Sequence, residues 1–261
     1  MRQGAHNMKP HDFTQRRIWL TGASSGIGYA LANALINEGA RIAVSARNTD
    51  KLNELVALAP DRVHSIPFDI MQKEQHRQAC DAVVAALGGI DILIMNAGDC
   101  HYIDVKQFRA ETVEYMQKIN FLSMAYTLEE ALPVLRRSET PHCVAMSSSA
   151  AYVGLPRAEA YGGSKASIKY FFDSLRLDLL DEGIRVSVIY PGFVKTPLTD
   201  KNDFPMPMLM EVDKAAAKMV AGIKKGKQEI RTPALFVGIL RFIAVLPLRI
   251  RLLALKSLVR K

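Results

Sequence analysis

Tyr161 and Lys165 stand four residues apart in the run Tyr-Gly-Gly-Ser-Lys, and Ser148 lies thirteen residues before the tyrosine. On a helix, positions i and i+4 share one face about one turn apart. A free phenol has a pKa near ~10, too high for efficient proton transfer at neutral pH. A neighbouring ammonium favours the phenolate and lowers that value, so this spacing can serve as an acid/base pair. The same spacing also occurs on solvated helical faces, so the surrounding sequence has to decide.

The elements that must position these groups alternate along the chain. Short apolar runs at 17–20, 41–46, 63–67, 90–95, 142–147 and 184–190 read as strands, with a further one at 228–231. Longer amphipathic stretches at 26–37, 51–58, 72–87, 110–137, 159–181 and 212–225 read as helices. Strands alternating with helices imply a parallel sheet covered on both faces, and right-handed crossovers make it a doubly wound, Rossmann-type α/β sheet. Ligands of such sheets bind beyond the carboxyl ends of the strands. Gly22, Arg47, Asp69, the Asn96-Ala97-Gly98 triplet, Ser148 and Pro191-Gly192 all fall at those ends.

Between the first strand and the first helix the chain reads Thr21-Gly-Ala-Ser-Ser-Gly-Ile-Gly28. Glycines there permit a sharp turn and close approach of a pyrophosphate, for which the helix N-terminus supplies N–H donors and a positive dipole end. The Gly-x-x-x-Gly-x-Gly spacing departs from the general Gly-x-Gly-x-x-Gly dinucleotide pattern.

Taken together, Thr-Gly-x-x-x-Gly-x-Gly, Asn96-Ala97-Gly98, Ser148, Tyr161-x-x-x-Lys165 and Pro191-Gly192 resemble the classical short-chain dehydrogenase/reductase family, in family order over roughly residues 17–230. The resemblance implies an NAD(P)-dependent oxidoreductase acting on CH–OH or C=O groups. It implies Tyr161 as the acid/base on the substrate oxygen and Ser148 as a hydrogen-bonding partner of that oxygen. Lys165 would lower the Tyr161 pKa and hold the nicotinamide ribose, and Asn120 would help keep a water that feeds protons through Lys165. Cofactor contacts are implied for Gly22, Ser24, Ser25, Gly26, Ile27, Gly28, Arg47, Asp69, Ile70, Asn96, Ala97, Gly98, Tyr161, Lys165, Pro191, Gly192, Val194 and Thr196. Met95 departs from the second asparagine that many members carry, with no catalytic consequence.

The end of the second strand bears on cofactor choice. Ala46 fills the position where NAD-preferring relatives carry an acid, and Arg47 follows it. A guanidinium suits a phosphate dianion, so NADPH is expected over NADH. Residues 197–210 correspond to the family's mobile substrate lid. Their apolar half, Phe204, Met206, Met208, Leu209 and Met210, either receives a lipophilic or acyl-chain substrate or packs on the core. The family also forms homodimers or homotetramers through long helices matching 112–136 and 159–180.

The 261 residues, 49% hydrophobic, form a single domain with no linker or repeat. Cys80, Cys100 and Cys143 lack metal or disulfide spacing and read as buried reduced thiols of a cytoplasmic protein. A polar leader at 1–15 lacks a signal-peptide core. The dehydrogenase domain then runs over 16–231 and a basic, apolar extension over 232–261. Of the net charge of +8, seven basic residues without an acid lie at 230–261, so the body is nearly neutral and nucleic acid is a poor partner. The tail's first apolar run is too short to span a bilayer, and its second suits an amphipathic helix. Peripheral membrane contact, packing on the lid and packing on a partner subunit all remain open for it. Against the enzyme reading stand a non-catalytic dinucleotide sensor and a docking module on the same fold.

Overall fold

A computed structural model describes residues 12–256. Most of the leader and the last five residues, with Arg260 and Lys261, lie outside the described residues.

The strands are β1 (Arg17–Thr21), β2 (Arg41–Ser45), β3 (Val63–Ser65), β4 (Ile92–Met95), β5 (His142–Met146), β6 (Arg185–Pro191) and β7 (Glu229–Thr232). They pair in the order β3-β2-β1-β4-β5-β6-β7, and every pairing is parallel. Every residue of β4 and β5 is buried, the signature of strands covered on both faces. Seven parallel strands with crossover helices make the Rossmann-type sheet expected from the sequence. The strand order reverses direction between β1 and β4, which opens the crevice where ligands of such sheets sit.

Helices α1 (Gly26–Asn37), α2 (Thr49–Leu58), α3 (Gln75–Leu87), α6 (Glu159–Asp178) and α7 (Val212–Lys224) match the periodic stretches, with ends shifted by a few residues. Gly39, at φ +84°, continues the chain out of α1 in the left-handed conformation that suits glycine. The region expected as one helix over 110–137 is divided. It comprises α4 (Ala110–Gln117), a wide π turn over Lys118–Leu122 and α5 (Ser123–Leu135). Two further helices, α8 (Ala234–Val245) and α9 (Leu248–Lys256), occupy the basic tail.

At the sheet edge away from the crevice, Asp91 anchors β1 to β4. Arg17 donates to it from its backbone N–H (3.0 Å) and guanidinium (2.7 and 3.1 Å), and the Ser138 hydroxyl donates at 2.6 Å. Burial raises the carboxyl pKa, but these bonds outweigh it and hold the group at about 2. A folded pKa below the unfolded one contributes stability that is fully present above pH ~4 and is lost as pH falls toward ~2. Asp91→Asn is therefore expected to lower urea-unfolding stability by about 2 kcal/mol at pH 7. The gap to the parent should narrow as pH falls from 4 to 2; a pH-independent gap would assign the loss to packing.

Candidate active site

The crevice is a cleft of about 890 Å³ lined by the ends of β1, β2, β4, β5 and β6 and by the first turn of α1. Of the residues expected at the site, Gly22, Ser24, Ser25, Gly26, Ile27, Gly28, Arg47, Asp69, Ile70, Asn96, Ala97, Gly98, Ser148, Tyr161, Lys165, Pro191, Gly192, Val194 and Thr196 all line it. Asn120 does not; it sits behind Gly98. A Cβ at Gly98 would lie 2.5 Å from the Asn120 side-chain oxygen and 3.4 Å from Lys165 Nζ.

At one end of the cleft the backbone is crowded. Gly22 turns at φ +71°, and a Cβ there would come within 2.6 Å of the Ala97 Cα. A Cβ on Gly28 would lie 1.9 Å from the Gly22 carbonyl oxygen. Asn96 ties the two loops by donating to the carbonyls of Thr21 (3.2 Å) and Gly22 (3.0 Å). Ser25 precedes α1 without making a side-chain cap, and the first turn holds no acid. The α1 N-terminus thus offers donors and a positive dipole end without an internal anion, which fits a pyrophosphate.

Arg47 projects, exposed, just past β2 and has no carboxylate partner among the described residues. Asn48 behind it caps α2, accepting from the Lys51 N–H at 3.0 Å. Across the cleft, Asp69 accepts from the Met71 N–H at 3.0 Å, and His76 Nε2 donates to the Ile70 carbonyl at 3.0 Å. The Asp69-Ile70 turn is therefore rigidly held while it faces the cleft.

At the other end stand Ser148, Tyr161 and Lys165. The Ser148 Oγ accepts from the Ala150 N–H at 3.2 Å and stands on the same cleft wall as the Tyr161 ring. The Lys165 Nζ donates to the Met146 carbonyl at 3.1 Å and lies 5.8 Å from the Tyr161 ring centre. The electrostatic balance differs from that read off the spacing. Loss of solvent, and then Cys100, push the Tyr161 phenol above its ordinary value, and the Ser148 hydroxyl acts the other way. Burial also brings the Lys165 ammonium down to about 8. The pair is dominated by loss of solvent: the ring packs beside Ile103, Met116, Ile119 and Ala160, while the ammonium is spent on a carbonyl.

Asn120 is fully buried in the π turn. Its Oδ1 accepts the Asp99 N–H at 2.9 Å, and its Nδ2 donates to the Asp99 carbonyl (3.0 Å) and to Ser164 Oγ (2.9 Å). Ser164 in turn donates to the Tyr161 carbonyl at 2.7 Å. The asparagine side chain therefore clamps the loop after β4 to the Tyr161 helix, and its polar ends are committed to protein groups.

Comparison with known proteins agrees with this arrangement. A sequence model described as short chain dehydrogenase matches residues 16–205. The chain belongs to the short-chain dehydrogenase family. It is 36% identical over 239 residues to an uncharacterised oxidoreductase of Myxococcus xanthus, covering 90% of this chain and 94% of that one. It is 31% identical over 239 residues to the 11-beta-hydroxysteroid dehydrogenase-like 3 protein of Arabidopsis thaliana, covering 87% and 76%. The crystal structure of a short-chain dehydrogenase from Streptomyces avermitilis superposes with a TM-score of 0.81 over 93% of this chain and 97% of that one, at 22% identity, a likeness of fold.

As a short-chain dehydrogenase, the protein is an NAD(P)-dependent oxidoreductase. The bound nicotinamide supplies or accepts the hydride. The residues fit such a group: a glycine-lined turn at an uncapped helix N-terminus at one end, and a half-buried phenol with a buried hydroxyl and ammonium at the other.

Beside the cleft stand four residues that sequence reading missed, Tyr102, Arg157, Phe193 and Phe236, joined to Phe204 of the 197–210 segment. Tyr102, Phe204, Phe193 and Phe236 form a chain of ring contacts, with centroids 5.5, 6.0 and 5.4 Å apart. Arg157 lies over the Tyr102 ring and pairs with Asp203 at 3.1 Å. Together these fasten the 197–210 segment to the loops after β4 and β5. Their sequence positions span 102 to 236, so no local spacing could reveal them. Cys100, expected to be buried, is only half-buried beside this cluster, whereas Cys80 and Cys143 are buried.

Proposed function

We propose that this short-chain dehydrogenase is an NADPH-preferring reductase of a carbonyl on a lipophilic or acyl-chain substrate. One observation carries the reading: a single cleft runs from the exposed Arg47 guanidinium to the half-buried Tyr161 and buried Ser148. In this reading Arg47 neutralises the 2′-phosphate, and the α1 N-terminus takes the pyrophosphate. Asp69 and Ile70 face the adenine, and Pro191, Gly192, Val194 and Thr196 line the nicotinamide end. Ser148 orients the substrate oxygen. Tyr161, held neutral by burial, donates its proton as the carbonyl is reduced, and Lys165 refills it; Asn120 positions both through Asp99 and Ser164.

The aromatic chain that runs through Phe204, with the exposed Met208 and Leu209, supports a lipophilic substrate. The Arabidopsis relative, named for a hydroxysteroid, supports the same class. Free Cys80, Cys100 and Cys143 support a reducing compartment, hence the cytoplasm. Exposed Leu122, Tyr170 and Leu177 on the α5–α6 side support a homodimer or homotetramer through those helices. We divide the chain into a dehydrogenase domain over 16–231, a leader before it and an extension after it.

Aerobic NADPH oxidation against panels of ketones, aldehydes and 3-oxoacyl thioesters of increasing chain length tests the proposal. Rates that rise with chain length and exceed those with NADH are expected. Turnover confined to short polar substrates would overturn the lipophilic reading.

A further inference from the structure

The two tail helices present an apolar surface that none of the described residues covers. On their inner side they are well packed. Leu240 and Leu255 are buried against Val153, and Phe236 contacts Phe193 and closes on Gly192. On the outer side of α8, Leu235, Ile239, Phe242 and Val245 follow the i, i+4, i+7 spacing of one stripe and are 44–79% exposed. On α9, Leu252 and Leu253 are 59% and 71% exposed. A globular protein rarely leaves so many large side chains in water on one element, so the face has an occupant.

The charges identify that occupant. Exposed Arg249 and Lys256 stand among the exposed leucines of α9, and residues 230–261 contain no carboxylate. Apolar side chains interleaved with basic ones, whose stems are themselves apolar, match the boundary between lipid headgroups and acyl chains. A second copy fits poorly, because a two-fold contact would set two acid-free basic faces against each other. No described helix is long and apolar enough to cross a membrane, so the helices would lie on the surface.

We propose that α8 and α9 dock the protein on an anionic lipid surface. Docking there holds the 197–210 segment about one helix thickness from the bilayer, since Phe236 on the inner side of α8 touches Phe193, and Phe193 touches Phe204. The inference extends the lipophilic-substrate reading but does not depend on it, because vesicle binding is read without turnover.

Flotation of the full chain with phosphatidylglycerol/phosphatidylcholine vesicles, and with phosphatidylcholine alone, tests it. The chain should float with the anionic vesicles, and raised salt should release it. Arg249→Glu with Lys256→Glu should lower the bound-to-free ratio at least about tenfold, as should Phe242→Asp. NADPH binding, followed by fluorescence, should be unchanged in both variants and so report an intact fold. Failure to float, or equal flotation of the charge-reversed variant, would overturn the proposal. So would sedimentation showing that Phe242→Asp converts an oligomer to a monomer without lipid, because the face would then belong to a second copy.

Discussion

Tyr161→Phe is expected to lower the rate of carbonyl reduction by about 10²- to 10⁴-fold, the usual contribution of a positioned general acid. NADPH binding should be retained. The substitution removes one oxygen and leaves the ring packed between Ile103, Met116, Ile119 and Ala160, so the fold has no reason to change. The hydroxyl it removes is the one kept protonated by loss of solvent, so the variant loses the proton that the proposed mechanism delivers. Lys165, brought down to about 8 by burial, adds a pH signature. Below that value the lysine is an ammonium that can refill the phenol; above it the relay runs out of protons. Reduction at saturating NADPH should therefore fall as pH rises through about 8, and Lys165→Met should remove that limb along with most of the activity. Turnover of Tyr161→Phe within a few-fold of the parent would move the proton donor elsewhere, with Ser148 the next residue to test.

Arg47→Ala is expected to lower kcat/KM for NADPH by about 10- to 100-fold, since a hydrogen bond to a charged group contributes about 1.5–3 kcal/mol. The value for NADH should hardly move. Arg47 is exposed beyond β2 and has no carboxylate partner among the described residues, so its removal leaves no buried charge behind. Ala46→Asp should deepen the effect, because a carboxylate at that cleft-lining position repels a 2′-phosphate and accepts from a 2′-hydroxyl. Steady-state kinetics with both cofactors give the ratio directly. A ratio unchanged in both variants would shift the selectivity to another cation of the cleft wall, for which Lys201 is the candidate.

Much of the fold was legible because its signals are local. Runs such as Ile92–Met95 and Cys143–Met146 are apolar throughout, as strands covered on both faces must be, and the helices between them carry one apolar face. The turn at Gly22 and Gly28 was legible for a steric reason: the backbones there approach so closely that no Cβ fits. The division of 110–137 was not legible. An apolar helical pattern continues through Lys118–Leu122, and the π turn there surrounds an asparagine bonded to Asp99 and Ser164, neither of which neighbours it in sequence. Arg157 and Tyr102, which meet the lid residue Phe204 only in space, escaped for the same reason.

The sequence by itself determined which atoms this dehydrogenase has for its chemistry and at which strand ends they stand, because backbone geometry makes spacing a statement about direction. Only the tertiary structure decided how those groups behave. Tyr161 and Lys165 read from spacing as an ammonium lowering a phenol; in the folded chain burial raises the one and lowers the other, because removing solvent outweighs a charge already bonded to a carbonyl. The tail followed the same division. Its helices and its positive charge were written in the chain, while which leucines turn to the core and which to the outside was decided by what α8 and α9 found to pack against.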